Sequence, residues 1–264
     1  MTNESISFDC AASVYDATRK LPEDCARALT DELVRQVRAN NTDRLLEIGI
    51  GTGRIARPLM REGVAVVGVD ISPLMVAQLR AQLTPEHTPP ELIFGDAMRL
   101  PLRDASFRAV LIVHVLHLVP SPTSVISDVR RVLAPGGILL HQTRAPNELT
   151  ERLWDESAAA WDRLLQARGF QRRQRAEQPQ VRALLQASGA RLDLINVTQS
   201  EETSTVEQEI ERIRVRQGSW TWEIPEDILV DALPEYETWL RAQLAPHDGW
   251  TDRVTLEIEV WRWP

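Results

Sequence analysis

Between residues 44 and 142 the chain alternates short apolar runs with stretches in which apolar residues recur every three or four positions. The first pattern marks buried strands and the second amphipathic helices. Strands are predicted at 44–48, 64–69, 91–94, 107–113 and 137–142, with helices around 54–61, 73–83 and 123–133. Such repetition builds an α/β fold, a doubly wound and mainly parallel sheet with helices on both faces. Ser72 before Pro73 has the form of an N-cap followed by a first-turn proline. Ala134-Pro135-Gly136-Gly137 reads as a turn that stops one helix and starts the next strand.

The flanks continue the pattern. An amphipathic helix is predicted at 22–37, with Leu29, Leu33, Val34 and Val37 on one stripe. Helices at 149–166 and 180–187 lead through Ser188-Gly189 into a strand at 191–197. Strict alternation from Val254 to Val260 predicts a half-buried strand, antiparallel and near a sheet edge. Between these two strands, 199–252 reads as a long, mostly helical insertion with helices at 207–216 and 225–244. The expected organisation is one domain over 1–264: a helical cover at 1–40, a ligand-binding core at 41–145, helical cap segments at 146–190 and 199–252, and final strands at 191–198 and 253–264. Insertions at one end of an open sheet are expected over the crevice at its carboxyl edge.

Composition narrows the function. At 43% hydrophobic and 26% charged, the 264 residues are those of a globular chain, neither collagen-like nor disordered. The longest apolar run is too short and interrupted to span a bilayer, and residues 1–10 lack a basic flank followed by an apolar core. A soluble, cytoplasmic protein with no membrane partner is expected. Cys10 and Cys25 have no ligand or redox spacing, so neither a thiolate metal site nor a disulfide framework is expected. The net charge of −8 is uneven: residues 1–149 carry 16 basic and 17 acidic groups, residues 150–264 carry 14 and 21. An acidic second half argues against nucleic acid as a partner. All eight tryptophans lie at or beyond Trp154.

The chemistry concentrates in Leu45-Leu46-Glu47-Ile48-Gly49-Ile50-Gly51-Thr52-Gly53-Arg54. Glycines at a strand-to-helix turn let backbone and ligand approach closely. A dinucleotide fingerprint needs its third glycine where Arg54 stands, so the spacing is E-x-G-x-G-x-G instead, which argues against a nicotinamide-dependent reductase. Asp70 ends the second strand, where a carboxylate can accept from both hydroxyls of a ribose.

With these residues the chain resembles the S-adenosylmethionine-dependent methyltransferases of the Rossmann-like class. Three further blocks carry the resemblance: Gly95-Asp96-Ala97 with Leu100-Pro101-Leu102 and Ser106-Phe107; Val113-His114-Val115-Leu116-His117-Leu118-Val119-Pro120; and Val132-Leu133-Ala134-Pro135-Gly136-Gly137. The pattern is strongest for the branch of ubiquinone and menaquinone C-methyltransferases, and closer still for bacterial methyltransferases of similar length. It covers residues 11–142 with specific motifs and the remainder in outline.

The resemblance implies roles residue by residue. Glu47 would face the methionine ammonium, and Gly49, Gly51 and Gly53 would give backbone access to the amino-acid portion. Asp70 would bind the ribose, with Ile71 and Met75 against the adenine; Asp96 and the Ala97 backbone would meet the adenine edge. His114 would lie near the sulfonium end. Tyr15 resembles an N-terminal tyrosine that closes over the cofactor, and Arg19 would pair with a carboxylate. His117 is the first candidate for a general base and His114 the second.

Structural explanations compete at several positions. Asp96 could be a helix N-cap, and either histidine a hydrogen-bonded boundary residue. Trp154, Trp161 and Trp239 read as packing residues, and Trp261 and Trp263 as strand aromatics. Arg144, beyond the fifth strand, is a substrate candidate or a solvated residue. Trp220 and Trp222 sit in a turn-like link and either line a pocket or pack the insertion. The expected activity is methyl transfer to a small-molecule acceptor; an acidic, Trp-rich cover would suit an amine or a flat aromatic. Neither cysteine sits where cytosine methylation would need one, and no Asn/Asp-Pro-Pro-aromatic signature follows the fourth strand. The alternative is a non-catalytic module that binds S-adenosylmethionine or a partner.

Overall fold

The computed structural model describes residues 5–13, 15–19, 21–145, 148–173, 175–245 and 247–264, with side chains from residue 150 onward in the helix that begins at 148. Its elements, in order, are α1 (Tyr15–Thr18), α2 (Glu23–Ala39), β1 (Arg44–Ile48), α3 (Ala56–Arg61), β2 (Ala65–Asp70), α4 (Pro73–Ala81), β3 (Glu91–Phe94), β4 (Phe107–Val113), α5 (Pro122–Val132), β5 (Leu133–Ala145), α6 (Glu148–Ala167), α7 (Gln178–Ala187), β6 (Arg191–Thr205), α8 (Val206–Arg214), α9 (Glu226–Leu244) and β7 (Gly249–Arg262). Two compact units result. One comprises Met1–Arg144, Arg175–Thr198 and Leu256–Pro264, the other Ala145–Gln174 and Gln199–Thr255.

The seven strands form one sheet of order β3-β2-β1-β4-β5-β7-β6, with β1 to β5 parallel and the C-terminal strands antiparallel. Chain order reverses between β1 and β4, so the crevice expected of an open α/β sheet lies where Gly49 and His114 leave those strands. Both faces are covered. Leu45, Leu111 and Leu140 pack with Leu29, Leu33 and Val37 of α2. Leu46, Ile112 and Leu139 pack on the other face with Val125 and Val129 of α5 and Val181 and Leu185 of α7. Thus α7, which hydropathy groups with the insertion, belongs to the sheet.

Ser72 caps α4 by accepting from the Met75 amide at 3.1 Å, with Pro73 in the first turn. The turn at Ala134–Gly137 is a bulge inside β5 and does not precede it: Phe107 pairs with Leu133 and Ala109 with Ile138. Gly137 permits this, since a Cβ there would stand 2.8 Å from the Ala134 carbonyl oxygen. The insertion is also shorter than its predicted bounds, because β6 runs on to Thr205 and β7 begins at Gly249. β7 lies one strand inside the edge, and the polar positions of its alternating pattern, Glu257 and Glu259, are buried, not solvated.

The second unit has its own core, in which Trp161, Val206, Ile210, Ile213, Leu233 and Tyr236 pack together. Trp161 meets Tyr236 edge-on at 4.8 Å, and Tyr236 stacks on Trp239 at 5.9 Å. Trp154 meets Trp250 edge-on at 5.5 Å. Among the described residues no helix is long and apolar enough to cross a membrane.

Candidate active site

The loop after β1 is built around three glycines with φ of 73°, 56° and 72° at Gly49, Gly51 and Gly53. The requirement is strictest at Gly49, where a Cβ would fall 2.3 Å from Val115 Cγ2 in addition to the left-handed backbone. The loop therefore packs against the segment after β4. At its centre, the Gly51 amide donates to one oxygen of Asp70 at 2.7 Å, and the Ser72 amide donates to the other at 2.8 Å. Asp70 is buried, and burial raises its pKa despite these bonds.

Glu47, the last acidic residue of β1, is 2% exposed, and its Oε2 has no hydrogen-bond partner. Burial pushes its pKa up to about 8, against the nearby positive charge of Arg54. An unpaired buried carboxyl is costly unless something satisfies it. A cationic group beside it would restore the charged form.

Asp96 does not cap a helix, since no helix follows it; its carboxylate accepts from the Met98 amide at 2.9 Å and from the Ser5 hydroxyl at 3.2 Å. Ile71 follows β2 and is half-buried, Met75 is buried on α4, and Ala97 packs at the margin of the α5 face of the core. A Cβ at Gly51 would come within 3.1 Å of Met75 Cε, so Met75 borders the glycine loop.

The N-terminal segment is tied to the same strand ends. Asp9 accepts from the Ser72 hydroxyl and, at 3.1 Å, from the Leu74 amide. Asp16 accepts from Thr52 in the glycine loop and pairs with Arg57 at 2.8 Å. Tyr15 lies edge-on to Phe8 at 5.7 Å; burial raises its pKa, and the charges of Arg54, Arg19, Asp16 and Asp70 act on it. Asp9 and Asp16 carry no sequence signal for these contacts, because isolated acids ahead of the first strand are unremarkable until the tertiary contacts exist.

His114 follows β4 at φ 54°, a left-handed conformation. Its ring and that of His117 are 6.4 Å apart and nearly perpendicular. Burial holds His114 down to about 3 and His117 to about 4, so both are neutral at pH 7. The positive charges of Arg54, Arg144 and Arg19 reinforce this at His114, and those of Arg175 and Arg19 at His117.

Trp220 and Trp222 lie in the second unit. Trp220 meets Trp161 edge-on at 5.9 Å, with the Arg172 guanidinium 5.3 Å over its ring. The indole of Trp222 donates to the Arg216 carbonyl at 2.8 Å.

Residues 46–141 match a family model described as a methyltransferase domain. An uncharacterized methyltransferase of Mycobacterium bovis is 36% identical over 136 residues, 51% of each chain. The 27-O-demethylrifamycin SV methyltransferase of Amycolatopsis mediterranei is 37% identical over 120 residues, 44% of each chain. The chain thus spans about half the length of the curated relatives it matches. The solved structure of the cyclase SpnF shares the fold with a TM-score of 0.60 at 20% identity, over 97% of this chain and 93% of that one. Residues 46–141 thus match a methyltransferase domain and lie on a Rossmann-like sheet.

Proposed function

We propose that the protein is an S-adenosylmethionine-dependent methyltransferase that acts on a small-molecule acceptor. The observation that carries this reading is the pairing of Glu47, buried with an unpartnered oxygen, with a glycine loop anchored on Asp70. A cationic ammonium would satisfy Glu47, the backbone of the glycine loop would receive the amino-acid portion, and the lone pairs that Asp70 has left would accept from a ribose. Asp96 and the Ala97 backbone would take the adenine edge, with Ile71 and Met75 against its ring; Tyr15 and Arg19 would close the N-terminal side. Bound there, S-adenosylmethionine supplies a sulfonium methyl group as the electrophile.

The chain's own contribution is alignment of the acceptor and exclusion of water, which can be worth roughly 7–11 kcal/mol of barrier. His114 and His117, both neutral, serve as hydrogen-bond acceptors that orient the acceptor, and Arg144 lies within electrostatic reach of His114. The positive charges around them favour a neutral or anionic flat aromatic over a cationic amine. The relative that modifies a rifamycin precursor is consistent with a small-molecule acceptor.

Calorimetric titration with S-adenosylmethionine and with NADH tests the cofactor. Saturable binding of the first alone is expected, weakened at least tenfold in Glu47→Ala. Binding of NADH alone would overturn the reading. Release of S-adenosylhomocysteine in the presence of a cell extract separates turnover from a binding module.

A further inference from the structure

On β7 the alternating pattern buries two acids on the α7 side of the sheet. Glu259 is fully buried and Glu257 is 7% exposed. Glu259 Oε2 accepts from the Trp261 indole at 3.0 Å and stands 3.0 Å from Nδ1 of His141 on β5. Its other oxygen accepts from Gln178 at 3.3 Å and from Arg182 of α7. Arg182 also reaches Glu257 at 3.2 Å, and Glu257 accepts from the Thr143 hydroxyl at 3.3 Å. The carboxylate is held from four sides, and through it the imidazole.

The consequence for His141 follows from donor inventory. A carboxylate can only accept, so Nδ1 carries the ring proton and Nε2 presents a lone pair. That nitrogen has no hydrogen-bond partner among the described residues, and His141 as a whole is 7% exposed. His141 pairs with Ile112 on β4, two residues before His114, and lies within electrostatic reach of His117. The charged or titratable groups around it are therefore Glu257 and Glu259 from β7, Arg182 from α7, and His117 after β4, with Arg175 acting on His117 in turn. Burial lowers the pKa of both His114 and His117, which makes each a weaker proton acceptor.

We propose that His141 is the general base of the transfer and that Glu259 is its positioning residue, for an acceptor that reacts through a hydroxyl group. This rests on the methyltransferase reading above. As the acceptor oxygen forms its bond to the methyl carbon, the carbon–sulfur bond breaks and its electron pair stays on sulfur. The hydroxyl proton passes to Nε2 of His141, which later returns it to solvent. The sulfonium charge lost equals the imidazolium charge gained.

Two readouts on the full chain test this. In nitrogen-labelled histidine spectra, His141, identified by the signal lost in His141→Asn, is expected as the Nδ1–H tautomer, and Glu259→Gln is expected to shift it. An Nε2–H tautomer in the wild type overturns the proposal. With tritiated S-adenosylmethionine and the low-molecular-mass fraction of a bacterial extract, His141→Asn is expected to lower the rate by roughly 10²–10⁴ with cofactor affinity unchanged. Imidazole in the buffer should restore part of that rate in His141→Gly, and the acid limb of the pH–rate profile should vanish. Glu259→Gln, which keeps the packing, is expected to lose up to about 10⁴ in rate by favouring the wrong tautomer. An active wild type with His141→Asn within a few-fold of it sinks the histidine assignment alone. A wild type that transfers no methyl sinks the methyltransferase reading itself.

Discussion

The amide of Gly51 donates to Asp70 across 2.7 Å, so the end of β2 holds the loop after β1 in place. Asp70 thereby serves the scaffold, and in the function proposed above it would serve a ribose as well. Asp70→Ala strands two amides, at Gly51 and Ser72, and an unmet buried donor costs about 1–3 kcal/mol. Asp70→Asn keeps one acceptor oxygen and the shape. We expect denaturant unfolding to show the larger loss for alanine, and calorimetry to show weakened S-adenosylmethionine binding in both variants. Equal stability of the two would remove Asp70 from the loop's support.

Glu47 makes stability depend on pH in an unusual direction. Its pKa is about 8 in the folded chain against an ordinary value of 4.5. Between those values the native state holds a proton that the unfolded state has released, so stability falls as pH rises from about 4.5 to about 8 and levels off above. Glu47→Gln should flatten that slope and raise the melting temperature at pH 8. A saturating ligand with an ammonium group should flatten it too, because the charged carboxylate then has its partner. Differential scanning calorimetry across the pH range decides this; an unchanged slope in Glu47→Gln would refute it.

Glu259 predicts the opposite sign. Hydrogen bonds from His141, Arg182 and Trp261, with the His141 charge, outweigh burial and hold its pKa to about 2. Its contribution is present above the ordinary value of 4.5 and is lost as pH falls towards 2. Replacing it by leucine leaves Arg182 and His141 without their shared acceptor, and breaking such a buried pair costs roughly 3–5 kcal/mol. Acid titration followed by circular dichroism should place the unfolding midpoint of Glu259→Leu at higher pH than in the wild type.

All seven strands were legible because their signals are local. The apolar runs at 44–48, 91–94 and 107–113 coincide with β1, β3 and β4 to the residue, and the glycine spacing marks the loop after β1. What was not legible depends on partners distant in sequence. Alternation in β7 assigns Glu257 and Glu259 to solvent, because period two cannot distinguish water from α7 packed over that face. Likewise, Ala134-Pro135-Gly136-Gly137 has turn chemistry, but only the β4 register shows it to be a bulge within one strand. The residues proposed to face the cofactor rest on motif order, whereas the contacts of Asp9 and Asp16 and the His141–Glu259 pair required the fold.

Gly49 allows conformation and sterics to be separated. Any side chain there pays for a φ of 73°, about 1–2 kcal/mol, and a Cβ would also strike Val115. Gly49→Ala should therefore destabilise by more than the conformational cost alone. Adding Val115→Ala should recover the steric part and leave the conformational part. Full recovery in the double variant, measured by equilibrium unfolding, would show that the backbone carries no strain at this position.

Trp161 offers a test in the second unit. Its ring is 2% exposed and packs against Tyr236 and Trp220, yet its indole N–H has no hydrogen-bond partner. Trp161→Ala removes the packing and leaves a cavity, at a cost of about 3–5 kcal/mol. Trp161→Phe keeps much of the aromatic contact while deleting the stranded donor, whose burial itself costs about 1–3 kcal/mol. The two effects oppose each other, so phenylalanine should cost far less than its lost volume suggests. A loss in Trp161→Phe as large as that in Trp161→Ala would mean that the N–H is satisfied in solution, as by a buried water.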